Sequence, residues 1–144
     1  MFDFKFDWND ELLIQIEDLD EQHKELFRIG RDIEQLLMIK CIGVKSKQLL
    51  KIVGDLRDYT AYHFYEEEKL MQIANYSKIE EHVKDHASFR SKVLNIDVPE
   101  LSTHPYKELS KIKDMIQGYV FHHLMELDKI MADEIRTKIS PTNA

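Results

Sequence analysis

Apolar residues recur at steps of three and four along most of the chain, the period of one face of an α-helix. A first seam reads Leu19, His23, Leu26, Gly30, Ile33 and Leu37, and predicts a helix over about 18–40. Cys41, Ile42 and Gly43 break it. A second seam, Leu49, Ile52, Leu56, Tyr59, His63, Glu67, Leu70 and Ala74, predicts a helix over about 44–74. A third, Ile79, His82, His86, Phe89 and Val93, predicts a helix over about 77–94, with Ser77 and Glu80 at capping-box spacing. Residues 95–105 read as a loop, and Pro105 suits the first position of a fourth helix over about 105–136. That helix has the seam Leu109, Ile112, Ile116, Tyr119, His123, Leu127 and Ile130. Ahead of the helices, Phe2, Phe4, Phe6 and Trp8 alternate with Asp and Lys. With no partner strand in view, residues 1 to about 17 read as an extended arm packed on the domain. The tail from Ser140 to Ala144 is expected to fray. Long amphipathic helices with short connections predict one all-α domain over 1–144, an up-down-up-down four-helix bundle.

Composition narrows the function classes. The 144 residues include 4 Gly and 3 Pro, few enough for long helices. No apolar run is long enough to cross a membrane, and the first residues lack a basic segment followed by an apolar stretch, so no secretory signal is expected. The single Cys41 cannot form an internal disulfide, which fits a reducing cytoplasm. A net charge of -7 without a basic stripe argues against nucleic acid as a partner. The expectation is a cytoplasmic protein with no membrane or nucleic-acid partner, a monomer or weak homo-oligomer.

The seven histidines change this picture. His23, His63, His82, His86 and His123 fall on apolar seams. Burying imidazoles is costly unless each polar edge is satisfied, and a shared metal satisfies several at once. In an antiparallel bundle the start of the first helix, the end of the second, the start of the third and the end of the fourth share one end. The five histidines, with Glu67 and Asp128, therefore converge on one layer. His82 and His86 are four apart, so one ion can take both rings, and His63 and Glu67 have the same spacing. Two carboxylates can bridge two cations, and this donor set exceeds one tetrahedral site. The fourth helix leaves two pairs open. His123 and Asp128 are five apart, a rotation of about 140° on an α-helix, whereas His122 and Glu126 are four apart.

These residues resemble the hemerythrin family, in particular its bacterial single-domain members, over about Trp8 to Ile135. Trp8, Ile16, Asp20, Gln22 and His23 look like the family's entry to its first helix. His63-Phe64-Tyr65-Glu66-Glu67-Glu68-Lys69-Leu70-Met71 follows its pattern of His-Phe, two residues, Glu-Glu, one residue, Leu-Met. His82 with His86, and His123 with Asp128, resemble its remaining pairs, which favours Asp128 over Glu126. The resemblance implies two non-haem irons, diferrous or diferric, joined by an oxo or hydroxo bridge. It implies that His82, His86 and His123 complete one iron, that His23 and His63 bind the other, and that Glu67 and Asp128 bridge them. It implies reversible dioxygen binding at an open position on the second iron, for storage, delivery or scavenging. The chain is thus read as a carrier rather than an enzyme, with no catalytic residues.

The family commonly has Trp-Leu-Val-Asn-His where this chain has Tyr119-Val120-Phe121-His122-His123, so the oxygen pocket is expected to differ at Val120 and His122. His104 and His122 are expected outside the ligand set, the methionines in the core, and Glu66 and Glu68 on the solvated face or orienting a ligand histidine. Oxygen, redox or nitric oxide sensing through a partner remains an alternative; the apparent lack of an appended output domain favours storage. A ferritin-like di-iron oxidase or iron store would place Glu three residues before a His. Asp20, Thr60, Ile79, Val83, Leu101, Tyr119 and Val120 stand there instead. Val83 also occupies the place of the base in a His-Glu-x-x-His zinc hydrolase. A metal-free helical interaction module would leave the histidine layer unexplained.

Overall fold

A computed structural model describes residues 5–139. Phe2, Phe4 and the tail from Ser140 lie outside the described residues. Among the described residues there is no strand, and no helix is long and apolar enough to cross a membrane.

The arm holds a 3-10 turn at Asp10–Leu12 between extended Asn9 and Leu13, and Gln15 takes a left-handed conformation, φ 62°. Phe6 is buried over Gly30, where a Cβ would collide with the Phe6 ring, so glycine at this point lets the arm close on the bundle. Phe6 and Trp8 both meet Phe27 edge-on, with ring centroids 5.7 and 5.2 Å apart. The buried Asp20 carboxylate then accepts the Ile14 and Gln15 N–H groups at 2.8 and 3.0 Å, fixing the entry to α1 (Glu17–Met38). Glu17, Asp18 and Asp20 in its first turn suit the positive end of the helix dipole.

α2 (Ser46–Ile73) ends as Asn75 takes a left-handed conformation, φ 53°, and the Tyr76 N–H closes back on Met71 at 2.9 Å. α3 (Ile79–Leu94) starts one residue later than a capping box at Ser77 and Glu80 predicts. Lys78 is its N-cap, and Ser77 instead donates its N–H to Glu134 on the last helix at 2.8 Å. The interhelical carboxylate outcompetes the local one. The stretch read as a loop contains a short helix, α4 (Val98–Thr103), capped by Asp97, which accepts the Glu100 N–H at 3.0 Å. Leu101 is buried and pins this turn to the core.

The fourth long helix is not uniform. α5 (Pro105–Tyr119) runs into a π-helical segment, Val120–Leu127, and continues as α6 (Asp128–Ile139). The Asp128 N–H bonds the His123 carbonyl, an i to i+5 step. The extra residue shifts every later position around the axis. Ile130, placed on the buried seam by a constant 3.6-residue period, is 48% exposed, while Met131, Ala132 and Ile135 are fully buried.

The four long segments pack as an all-α bundle. Its core divides into two apolar clusters. One holds Leu26, Tyr59, Phe64, Phe89, Tyr119 and Leu124; the other holds Leu19, Met71, Met131 and Ile135. Each long helix passes from one cluster to the other through a buried polar layer.

Candidate metal centre

That layer contains all seven residues singled out by the sequence. His23 comes from α1, His63 and Glu67 from α2, and His82 and His86 from α3. His123 comes from the π segment and Asp128 from the start of α6. Each is 2% exposed or less. Their donor atoms form two groups, Glu67, His82, His86 and His123 on one side and His23, His63, Glu67 and Asp128 on the other. Within each group the donor atoms lie within 4.8 Å of one another.

Both carboxylates face both groups. Glu67 Oε1 lies 2.6, 3.0 and 3.5 Å from Nε2 of His82, His86 and His123. Its Oε2 lies 3.2 Å from His63 Nε2 and 3.9 Å from His23 Nε2. Asp128 Oδ1 lies 3.0 and 3.1 Å from His82 and His123, and Oδ2 lies 3.2 Å from His23. Despite these short distances, His23 Nε2, His63 Nε2, Glu67 Oε2 and both Asp128 oxygens make no aligned hydrogen bond among the described residues. They converge on common points rather than on each other. Leaving such groups buried and unsatisfied costs about 1–3 kcal/mol each, more where they are charged. Cations at the two points would satisfy them, and the mixed imidazole and carboxylate donors suit iron among other first-row metals.

Outer partners hold the rings in that pose. His63 Nδ1 bonds Gln22 Oε1 at 2.6 Å, His86 Nδ1 bonds Glu68 at 2.8 Å and His123 Nδ1 bonds Asp85 at 2.5 Å. Each Nδ1–H donates outward, so each Nε2 lone pair points into the layer. Sequence reasoning missed Gln22 and Asp85 as holders; the only signal was a polar residue beside a seam histidine. Glu68 orients His86, one of the two roles expected for it. The hydrogen bond to His86 and the bond to His123 hold Glu68 and Asp85 below the usual carboxylate range.

The π segment turns one of the two pairs on the last helix inward. His123 and Asp128 both face inward, while His122 is 62% exposed and Glu126 65% exposed. His104 is exposed and paired with Glu100 at 2.6 Å.

In the metal-free site the buried carboxylates favour the protonated forms of two imidazoles. Burial disfavours the charged forms of His82 and His123, but Asp128 and Glu67 outweigh it and raise both imidazoles, His123 well above its ordinary value. Burial also pushes Glu67 and Asp128 up, yet the surrounding histidines hold both low, Glu67 well below its ordinary value. A raised histidine stabilises the fold fully below its unfolded value of about 6.5, and that contribution is lost as pH rises through the raised value. His63, lowered by burial, works in the opposite direction with a smaller shift than that of His123. The melting midpoint of the metal-free protein should therefore fall as pH rises above about 6.5. Circular dichroism melts after chelation measure this, and a midpoint that rises over the same interval would contradict it. Metal must displace these protons, so metal affinity should rise over the interval in which the metal-free fold weakens.

Comparison with known proteins agrees with this layer. The model of the hemerythrin HHE cation binding domain matches residues 15–135. A bacteriohemerythrin of Clostridium acetobutylicum is 28% identical over 128 residues, covering 89% of this chain and 99% of its own length. A bacteriohemerythrin of Pseudomonas aeruginosa is 26% identical, covering 92% of this chain and 83% of its own length. A myohemerythrin of Riftia pachyptila is 28% identical over 92 residues, covering 64% and 68% of the two chains. The family match begins ahead of α1 and runs through every helix that contributes to the buried layer, so the chain belongs to the hemerythrin family.

Proposed function

We propose that this protein binds dioxygen reversibly at a non-haem di-iron centre formed by His23, His63, Glu67, His82, His86, His123 and Asp128. The observation that carries the reading is the pair of donor groups joined by carboxylates whose oxygens face both sides. Iron held there would supply reversible two-electron exchange with dioxygen. Glu67 and Asp128 would hold both irons and offset their charge. The imidazoles add donors without adding negative charge, which moderates stabilisation of higher oxidation states. Gln22, Glu68 and Asp85 keep three of the rings from turning.

The apolar clusters on either side supply the remaining requirement. Phe64 stacks on His86 with ring centroids 4.0 Å apart, and Val120 and Leu124 are fully buried beside His123 in the chain. These walls limit water and stray proton donors, which favours release of dioxygen over its consumption. The role that follows is storage, delivery or scavenging of oxygen in the cytoplasm.

Metal analysis with optical spectroscopy tests the reading. The expected result is about two irons per chain, the number the two donor groups can hold. A visible band should grow when air meets the reduced protein and fade when oxygen is removed. Iron-free protein that cannot be loaded, or loaded protein that consumes oxygen without returning it, would sink the proposal.

A further inference from the structure

Two tyrosines stand in the same relation to the buried layer. Tyr59 lies four residues before His63 on α2, and Tyr119 lies four residues before His123 on the last long helix. These two helices run in the same direction, so both phenols sit on one side of the layer, in the larger apolar cluster. The Tyr59 ring stacks on His63, centroids 5.1 Å apart at 14°. The Tyr119 ring lies 4.7 Å from His123 and stacks on Phe89 at 4.2 Å. One phenol thus borders each donor group.

Both hydroxyls are shielded from solvent and have no hydrogen-bond partner among the described residues. A buried hydroxyl without a partner costs free energy, and phenylalanine would fill either seat without that cost. Packing explains the rings but not their oxygens. A phenol is protonated at neutral pH, so each hydroxyl is a donor. An acceptor held in the layer they border would satisfy both hydroxyls.

We propose that Tyr59 and Tyr119 form a pair of hydrogen-bond donors for a small anionic or partly reduced ligand held at the centre. The inference rests on the di-iron reading above and assigns these residues as positioning groups for the exogenous ligand, not as metal ligands. It also qualifies the apolar walls described above: the cluster that borders the layer carries two hydroxyls. Such donors favour a ligand that has gained negative charge over the neutral molecule, and so slow its departure.

The test uses azide as the probe on oxidised, iron-loaded protein, with Tyr59→Phe, Tyr119→Phe and the double variant. The double variant should keep the wild-type iron content and weaken azide binding about tenfold or more. Its metal-free form should melt at the wild-type temperature or above it, since no internal hydrogen bond is lost. Azide affinity within about twofold of wild type, or a metal-free fold that melts markedly lower, would overturn the assignment. Wild-type protein that loads two irons but takes up neither azide nor oxygen would instead overturn the dioxygen reading, and this inference with it.

Discussion

Glu67→Ala should empty the centre of its metal pair. Glu67 is the only residue present in both donor groups, with one oxygen toward His82, His86 and His123 and the other toward His63 and His23. Its removal leaves Asp128 as the sole carboxylate in the layer, facing two cations. Breaking a buried charge pair costs about 3–5 kcal/mol. The lost group serves both sites, so affinity at each should fall about a hundredfold or more. The check is iron content after anaerobic ferrous loading and desalting, with the visible band on exposure to air as a second readout. Glu67→Gln separates charge from volume: it fills the same space and keeps an acceptor, yet should also lose the pair. If either variant held two irons and its oxygen-dependent band, Glu67 would not be the bridge.

The centre was more legible in the sequence than the backbone that carries it. Seam periodicity placed His23, His63, Glu67, His82 and His86, because a polar residue on a buried face breaks a simple rule. The same rule concealed Tyr59 and Tyr119: a tyrosine on a seam reads as packing, and only the three-dimensional environment shows its hydroxyl stranded. Gln22 and Asp85 sit just off the seams, where a polar side chain draws no notice. Between α3 and α5, Pro99 reads as a breaker, although it falls in the first turn of α4 after a capping Asp97, where proline is tolerated. Ser77 shows a different limit. Capping-box spacing is a local signal, and Glu134, 57 residues away, supplies the stronger acceptor.

The last helix shows what a fixed period cannot reveal, and it yields the second large effect. On a regular α-helix, residues five apart point about 140° from each other. The π segment stacks them, which brings Asp128 under His123 and carries Met131, Ala132 and Ile135 into the core while turning Ile130 out. Register in this segment should therefore control both metal binding and stability. Inserting one alanine after Leu124 sets the partners six residues apart, a separation that neither helix type stacks. Asp128 should leave the layer, iron content should drop well below two, and the metal-free fold should weaken as Met131 and Ile135 turn toward water. Exposing such side chains costs about 1.5–3 kcal/mol each. Deleting the exposed Met125 should have the opposite character. It leaves a spacing of four, which an ordinary α-helix stacks, so both ligands and the apolar residues after Asp128 stay inward. The deletion variant should load two irons; the insertion variant should not. Metal analysis and thermal melts of the two proteins decide it. Loss of iron from the deletion variant alone would show that the wider π backbone, not the facing of His123 and Asp128, is what the centre requires.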